Sequence, residues 1–232
     1  MLYHCPLAVI PVRKEPSDKS EQVNQLLFGE NISVLEAQAK WSLIRSQEGY
    51  EGWVDNKQIQ QGEIKHEWLV VEPFIRFDQG GNIILLPFGS RVPKNTDGAT
   101  PSLTASPTSL VDIGMKYLNS PYLWGGRTLM GIDCSGFVQQ VFGFHGLQLA
   151  RDAWQQAEIG QTLLLPSEAR AGDLAFFDNA EGRIIHVGLL IDDRHILHAS
   201  GQVRIDLLDQ EGIFNRELGR YTHKLRLLKR VI

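Results

Sequence analysis

Gly131 to Phe137 reads GIDCSGF and contains Cys134, one of two cysteines in a chain of 232 residues. The heptapeptide joins a glycine-containing loop to an apolar stripe of helical spacing, Phe137, Val138, Val141 and Phe142, which ends near Gly146. A thiol at a helix start meets unpaired backbone N–H groups and the positive end of the helix dipole, both of which favour the nucleophilic thiolate. The competing reading is a packed core cysteine; the polar neighbours Asp133 and Ser135 fit it less well. A carboxylate beside the thiol opposes ionisation, so Asp133 needs another job: it either caps the helix or holds a cationic group of a substrate.

A nucleophile of this kind needs a base, and the chain has seven histidines. His186 opens the apolar run HVGLLI, and His198 closes HILHA on the following strand. If Asp192, Asp193 and Arg194 form a three-residue loop, Ile191 pairs with His195 and Gly188 with His198. His198 then lies diagonally across from His186 on one face, where one imidazole can activate the thiol and the other can orient the first. A two-residue loop would put them on opposite faces. His4, His66, His145, His195 and His223 read as satisfied strand or surface residues. A metal site of His186, His195 and His198 is disfavoured because positions 195 and 198 point to opposite faces of one strand.

Around these residues the pattern is α+β. Ser109 is placed to cap a helix carrying Leu110, Gly114 and Leu118, and Asp152 to Ile159 reads as a short helix. Strands are expected at Leu174–Phe177, Ile184–Ile191, His195–Ala199 and Leu225–Ile232. The front of the chain is all β. Alternation at Ile32 and Val34 and at Trp41 and Leu43, with glycine turns between, predicts a small antiparallel barrel over residues 1–60. QLLFGENISVLE and WSLIRSQEGYEGWV resemble bacterial SH3-like domains. Residues 61–104 read as a second, abbreviated SH3-like unit around the Gln79-Gly80-Gly81-Asn82 turn, or as an extension of the barrel, with Lys94 to Thr108 as linker. The third segment is 105–232.

Six motifs in order carry a further resemblance: YLWGG (Tyr122–Gly126), DCSGF (Asp133–Phe137), Arg151-Asp152 with Gln155-Gln156, GDLAFF (Gly172–Phe177), HVGL (His186–Leu189) and His198-Ala199. They resemble the NlpC/P60 family of cysteine peptidases over about Ser109 to Ile232. The resemblance implies a papain-like catalytic domain with Cys134 as nucleophile, His186 as general base and then acid, and His198 as polar third member. It also implies that Tyr122 supports the oxyanion together with the backbone N–H of Cys134. Trp124 is expected to wall the substrate groove, and Arg151 is either a ligand or a helix-start ion-pair residue.

Family members commonly cut murein stem peptides between γ-D-glutamate and a diamino acid. SH3-like modules without a secretion signal are similar to a branch that trims released peptides bearing a free L-alanine. By that likeness Asp133 and Ser135, with Glu15 and Tyr50 of the first segment, hold the terminal ammonium. The expected substrate is a murein tri- or tetrapeptide, and the product L-Ala-γ-D-Glu. Rival readings are a hydrolase of intact wall anchored by its SH3-like modules, and a non-catalytic wall-binding protein.

Composition narrows the remaining classes. A hydrophobic content of 43% and charged content of 22% are those of a globular chain. A net charge of −4 gives no electrostatic reason to expect nucleic acid. No apolar run approaches the roughly 18 residues of a spanning helix, and Pro6 and Pro11 interrupt any signal-like start, so a cytoplasmic monomer without membrane contact, cofactor or metal is expected. Two cysteines are too few for a disulfide framework; Cys5 is expected as a strand bystander.

Overall fold

The computed structural model describes residues 1–103 and 106–232, which divide into two compact units: Met1–Ser102 with Trp124–Leu129, and Leu103–Leu123 with Met130–Ile232. Among the described residues no helix is long and apolar enough to cross a membrane.

The first unit is built from short strands. β1 (Leu2–His4), β2 (Val9–Arg13), β3 (Gln22–Leu27), β4 (Asn31–Ala37), β5 (Trp41–Ser46), β6 (Glu51–Asp55) and β7 (Gln60–Gln61) form one sheet in the order β3-β2-β6-β5-β4-β1-β7. It closes over Cys5, Ile10, Val12, Leu26, Ile32, Ile44 and Val54. The expected alternation holds for Ile32 but not for Leu43. Ile44 pairs with Val34 and faces the core, so Leu43, its neighbour in β5, points to the other face and stays half-buried; a bulge between Val34 and Glu36 sets it opposite Glu36. Cys5 lies just past the end of β1, not in a strand. It is a free thiol, fully buried, with its hydrogen toward the Leu7 carbonyl at 3.2 Å.

Residues 61–102 add β8 (Trp68–Val70), β9 (Phe74–Gln79), β10 (Asn82–Pro87), β11 (Arg91–Val92) and β12 (Ala99–Thr100). β9 and β10 form the expected hairpin, Gln79 opposite Asn82, across Gly80 and Gly81. Both glycines have positive φ, 64° and 93°, as a twist-matched two-residue turn requires. Val70, Leu86 and Val92 pack around Phe28, which follows β3, so this segment shares a core residue with the barrel. The expected linker is partly structured: Ala99–Thr100 pairs with β8, and a helix begins at Pro107; residues 104–105 lie outside the described residues.

A short excursion of the later sequence, Trp124–Leu129 with β13 (Arg127–Thr128), also belongs to this unit. Arg127 forks onto both carboxylate oxygens of Glu30 at 2.8 and 2.9 Å and donates to the Gln25 carbonyl at 2.8 Å. The Trp124 indole donates to Glu21 at 2.7 Å.

The second unit contains β14 (Gly131–Ile132), α1 (Pro107–Met115), α2 (Cys134–Gly143) and α3 (Ala153–Gln156). Its sheet comprises β15 (Gln161–Leu163), β16 (Leu174–Asp178), β17 (Ile184–Leu190), β18 (His195–Ser200), β19 (Gln202–Leu208), β20 (Gly212–Asn215) and β21 (Arg220–Arg230). The order is β15-β21-β16-β17-β18-β19-β20, and the long β21 also bonds β20, which closes the sheet. Ala175, Phe177, Leu190, Ile196, Leu208, Ile213 and Leu228 fill one core.

The cap of α1 is Ser106, three residues before the expected Ser109. Pro107, with φ preset for a helix, follows Ser106, whose hydroxyl accepts from Ser109 N while the Ser109 hydroxyl accepts from Ser106 N. β19 and β20 were not expected, and β21 begins five residues before the expected Leu225.

Candidate active site

Cys134 is the first residue of α2, and Asp133 is the N-cap, its Oδ1 accepting from Gly136 N at 2.7 Å. The cap reading of Asp133 is therefore seen directly. The cation it holds is the chain's own: Arg151 donates Nη1 to Oδ1 at 3.0 Å and Nη2 to Oδ2 at 2.5 Å, in a pair almost wholly buried. Arg151 also donates to the Ser135 hydroxyl at 2.8 Å. So Arg151 is an ion-pair residue, and Asp133, Ser135 and Arg151 form one buried polar knot beneath the thiol.

The three-residue loop and its register are as the sequence suggested. Leu189 pairs with Leu197 and Leu190 with Ile196, and Ile191 N donates to His195 O at 2.9 Å. This register places Gly188 opposite His198 and His186 on the diagonal. His186 Nε2 and His198 Nδ1 stand 2.8 Å apart, both rings buried. Gly188 makes this possible: a Cβ there would lie 2.9 Å from His198 Cβ and 2.6 Å from Ile196 Cδ1. Register shifts on β17 and β21 flank Phe177, the residue paired with His186. Such bulges re-aim side chains next to functional sites. The backbone N–H of Val187, the residue after His186, reaches the Cys134 sulfur.

The electrostatics correct one expectation. Burial, and then the Asp133 carboxylate, push the Cys134 thiol up to about 12, against the N–H groups of Val187 and Ser135 and the Arg151 charge. Burial likewise holds His186 well below the ordinary imidazole value, helped by His198 and His223. Thiol and imidazole are therefore both neutral at rest. Ionisation by the helix start loses to desolvation, so a thiolate at this sulfur needs a base to take its proton.

Three residues that sequence reasoning missed surround this pair. Asp206 accepts from His198 Nε2 at 3.1 Å. Arg204 donates Nε and Nη2 to Asp206 at 2.8 and 3.1 Å. His223 stacks on His186 with ring centroids 4.2 Å apart and an interplanar angle of 23°. Asp206 was within reach of the rule that paired the histidines: the Gly201 turn sets Arg204 opposite His198, so Asp206 is the next diagonal neighbour. His223 gave no signal because the strand was expected to begin after it.

Coordinating atoms of His186, His198 and His223 all lie within 4.8 Å of one another. The nearly parallel rings of His186 and His223 aim their in-plane lone pairs alongside each other and not at a common point, so this arrangement does not offer a tetrahedral metal three converging nitrogens.

Tyr122 bridges to Ile132, two residues before Cys134, and is part-exposed; burial raises its hydroxyl pKa, and so do the Cys134 and Asp133 charges nearby. Trp124, Glu15 and Tyr50 belong to the first unit. Glu15 is an exposed turn residue whose N–H donates to Ser20 Oγ at 2.9 Å, and Tyr50 is half-buried with its N–H on Ser46 Oγ. His4, His66 and His145 sit against backbone carbonyls of Gly62, Arg91 and Val141, and His195 pairs with Asp192.

Residues 119–221 match the NlpC/P60 family model, and residues 8–60 match that of the bacterial SH3 domain. A gamma-D-glutamyl-L-lysine dipeptidyl-peptidase of Bacillus subtilis (strain 168) is 30% identical over 232 residues, covering 84% of this chain and 78% of the relative. The chain belongs to the NlpC/P60 family. A dipeptidyl-peptidase 6 of Lysinibacillus sphaericus is 25% identical and covers 85% of this chain and 88% of its own length. The crystal structure of an NlpC/P60 family protein from Bacillus cereus ATCC 10987 superposes with a TM-score of 0.84 at 19% identity, covering 100% of this chain and 99% of that one, a likeness of fold. The α+β NlpC/P60 unit with an SH3-like all-β front is thus established, and NlpC/P60 peptidases are typically cysteine peptidases.

Proposed function

We propose that this chain is a cysteine peptidase that cleaves the γ-D-glutamyl–diamino acid bond of murein peptides bearing a free N-terminal L-alanine, releasing L-Ala-γ-D-Glu. The observation that carries it is the Cys134 sulfur bonded by the N–H that follows His186, with His198 at 2.8 Å behind that base. The cut itself is supported by relatives named as dipeptidyl-peptidases that align along most of the chain, SH3-like part included.

In this mechanism His186 takes the thiol proton as sulfur attacks the γ-carbonyl carbon. The backbone N–H of Cys134 and the Tyr122 hydroxyl face the developing oxyanion. Collapse breaks the C–N bond, and His186 returns its proton to the amine of the departing diamino acid. The acyl group remains on sulfur as a thioester. His186 then deprotonates a water, whose attack frees L-Ala-γ-D-Glu and restores the thiol. Asp133, neutralised by Arg151, keeps Ser135 in place beside Cys134, and the free N-terminal L-alanine is supported by the relatives named as dipeptidyl-peptidases. Free wall peptides, not intact strands, are the substrate this implies, because L-Ala-γ-D-Glu can leave as a free dipeptide only from a peptide whose alanine is not acylated.

The test is mass spectrometry after incubation with L-Ala-γ-D-Glu-L-Lys and L-Ala-γ-D-Glu-meso-diaminopimelate, each free and N-acetylated. Wild type is expected to release the dipeptide from the free forms only, and Cys134→Ala from none. Glu15→Gln and Tyr50→Ala are each expected to raise KM with kcat held. Equal cutting of the acetylated peptides favours a hydrolase of intact wall, and turnover by Cys134→Ala overturns the mechanism.

A further inference from the structure

We propose that Asp206, gripped by Arg204, is a positioning residue that fixes which nitrogens of His198 and His186 carry hydrogen, extending Cys134, His186 and His198 into a four-membered chain. The proposal rests on the reading of Cys134 as nucleophile and His186 as base.

The argument is a count of donors and acceptors. An ionised carboxylate only accepts, so the 3.1 Å contact with Asp206 requires hydrogen on His198 Nε2. A neutral imidazole carries one hydrogen, so His198 Nδ1 is then a lone pair. Its neighbour at 2.8 Å is His186 Nε2, which must therefore be the donor. The lone pair of neutral His186 is left on Nδ1, the one ring nitrogen not committed to His198. That nitrogen is the one free to receive the Cys134 proton. The opposite assignment, with hydrogen on His198 Nδ1, would place hydrogen on His186 Nδ1 and disable the base.

Asp206 can impose this choice only while it stays ionised. Burial pushes its carboxyl up, but the hydrogen bonds from His198 and Arg204 outweigh burial and leave it below the ordinary carboxylate value. Arg204 contacts both oxygens, and its Nη1 is anchored on Glu217 at 3.0 Å. When His186 accepts the thiol proton, the same carboxylate, one imidazole away, stabilises the positive charge.

The decisive experiment compares wild type, Asp206→Asn, His198→Asn and the double variant. The readouts are kcat and KM on the γ-glutamyl peptide, the rate of Cys134 alkylation by iodoacetamide, and the imidazole ¹⁵N shifts of His198. An asparagine amide at 206 can donate and so permits the disabled arrangement. Asp206→Asn is expected to lower kcat by up to about 10⁴-fold with KM little changed, and to slow alkylation. Asparagine at 198 accepts from His186 without needing Asp206, so in that background Asp206→Asn is expected to change neither rate by more than about twofold.

In wild type, hydrogen is expected on His198 Nε2. Hydrogen found on Nδ1, an unaffected Asp206→Asn, or the same loss in the His198→Asn background overturns the proposal. The nitrogen shifts and the alkylation rate need no substrate, so a wrong peptide assignment would show as lost turnover with the nitrogen assignment intact.

Discussion

Arg151 holds both carboxylate oxygens of Asp133, the residue directly before Cys134, in an ion pair with side chains only 2% and 5% exposed. Removing one member of such a pair strands a buried charge. Arg151→Ala is expected to cost about 3–5 kcal/mol and to slow alkylation of Cys134, because an unpaired Asp133 raises the thiol further. Thermal unfolding and alkylation kinetics check the two effects separately.

Gly188→Ala tests the register. The added methyl collides with His198 and Ile196, so the second imidazole must shift. A displacement of about 1 Å in such a constellation costs about 10²-fold. The expected result is a fall in kcat with KM nearly constant, measured on the free γ-glutamyl peptide.

Acid should destabilise the second unit. Burial depresses His186 and His198, and takes His223 from 6.5 to about 4. Between pH 6.5 and about 4 the unfolded chain therefore binds protons that the folded one refuses, and stability falls as pH drops through that window. Melting midpoints at pH 7 and pH 5 should differ, and His223→Phe, which keeps a ring over His186, should narrow the gap. The same depression keeps His186 a base below the ordinary histidine range, so the acid limb of kcat is expected below pH 6.5.

Glu30→Ala in the first unit leaves the Arg127 guanidinium buried without its carboxylate. The pair has side chains 6% and 13% exposed, and its loss is expected to cost about 3–5 kcal/mol. Urea unfolding of the full chain measures it, and Glu30→Gln, which keeps an acceptor, should lose less.

The helix start at Cys134, the meeting of His186 and His198, and the register that brings them together were legible because each rests on local spacing: a helix start, a turn length and a two-residue period. What was hidden depends on longer paths through the fold. Arg151 lies eighteen residues beyond Asp133 in sequence and meets it in space. His223 reaches His186 only because β21 is longer than its apolar stretch, its first residues being polar and exposed. Leu43 misled because its equally apolar neighbour Ile44 takes the inward face of β5. The thiol's resistance to ionisation reflects burial, which no linear motif states.

One consequence lies in the six residues Trp124–Leu129, which come from the middle of the later sequence yet belong with the first unit. The polypeptide passes between the units three times, after Ser102, Leu123 and Leu129. A cut at the first passage leaves two others intact, so proteolytic nicking near Ser102 does not divide the molecule into its two units. Inheritance is constrained likewise. A barrel put in place of the front half must bring a carboxylate for Arg127. Glu30 of the barrel and Arg127 of the loop are thus bound to change together, and Arg127 lies only seven residues before Cys134.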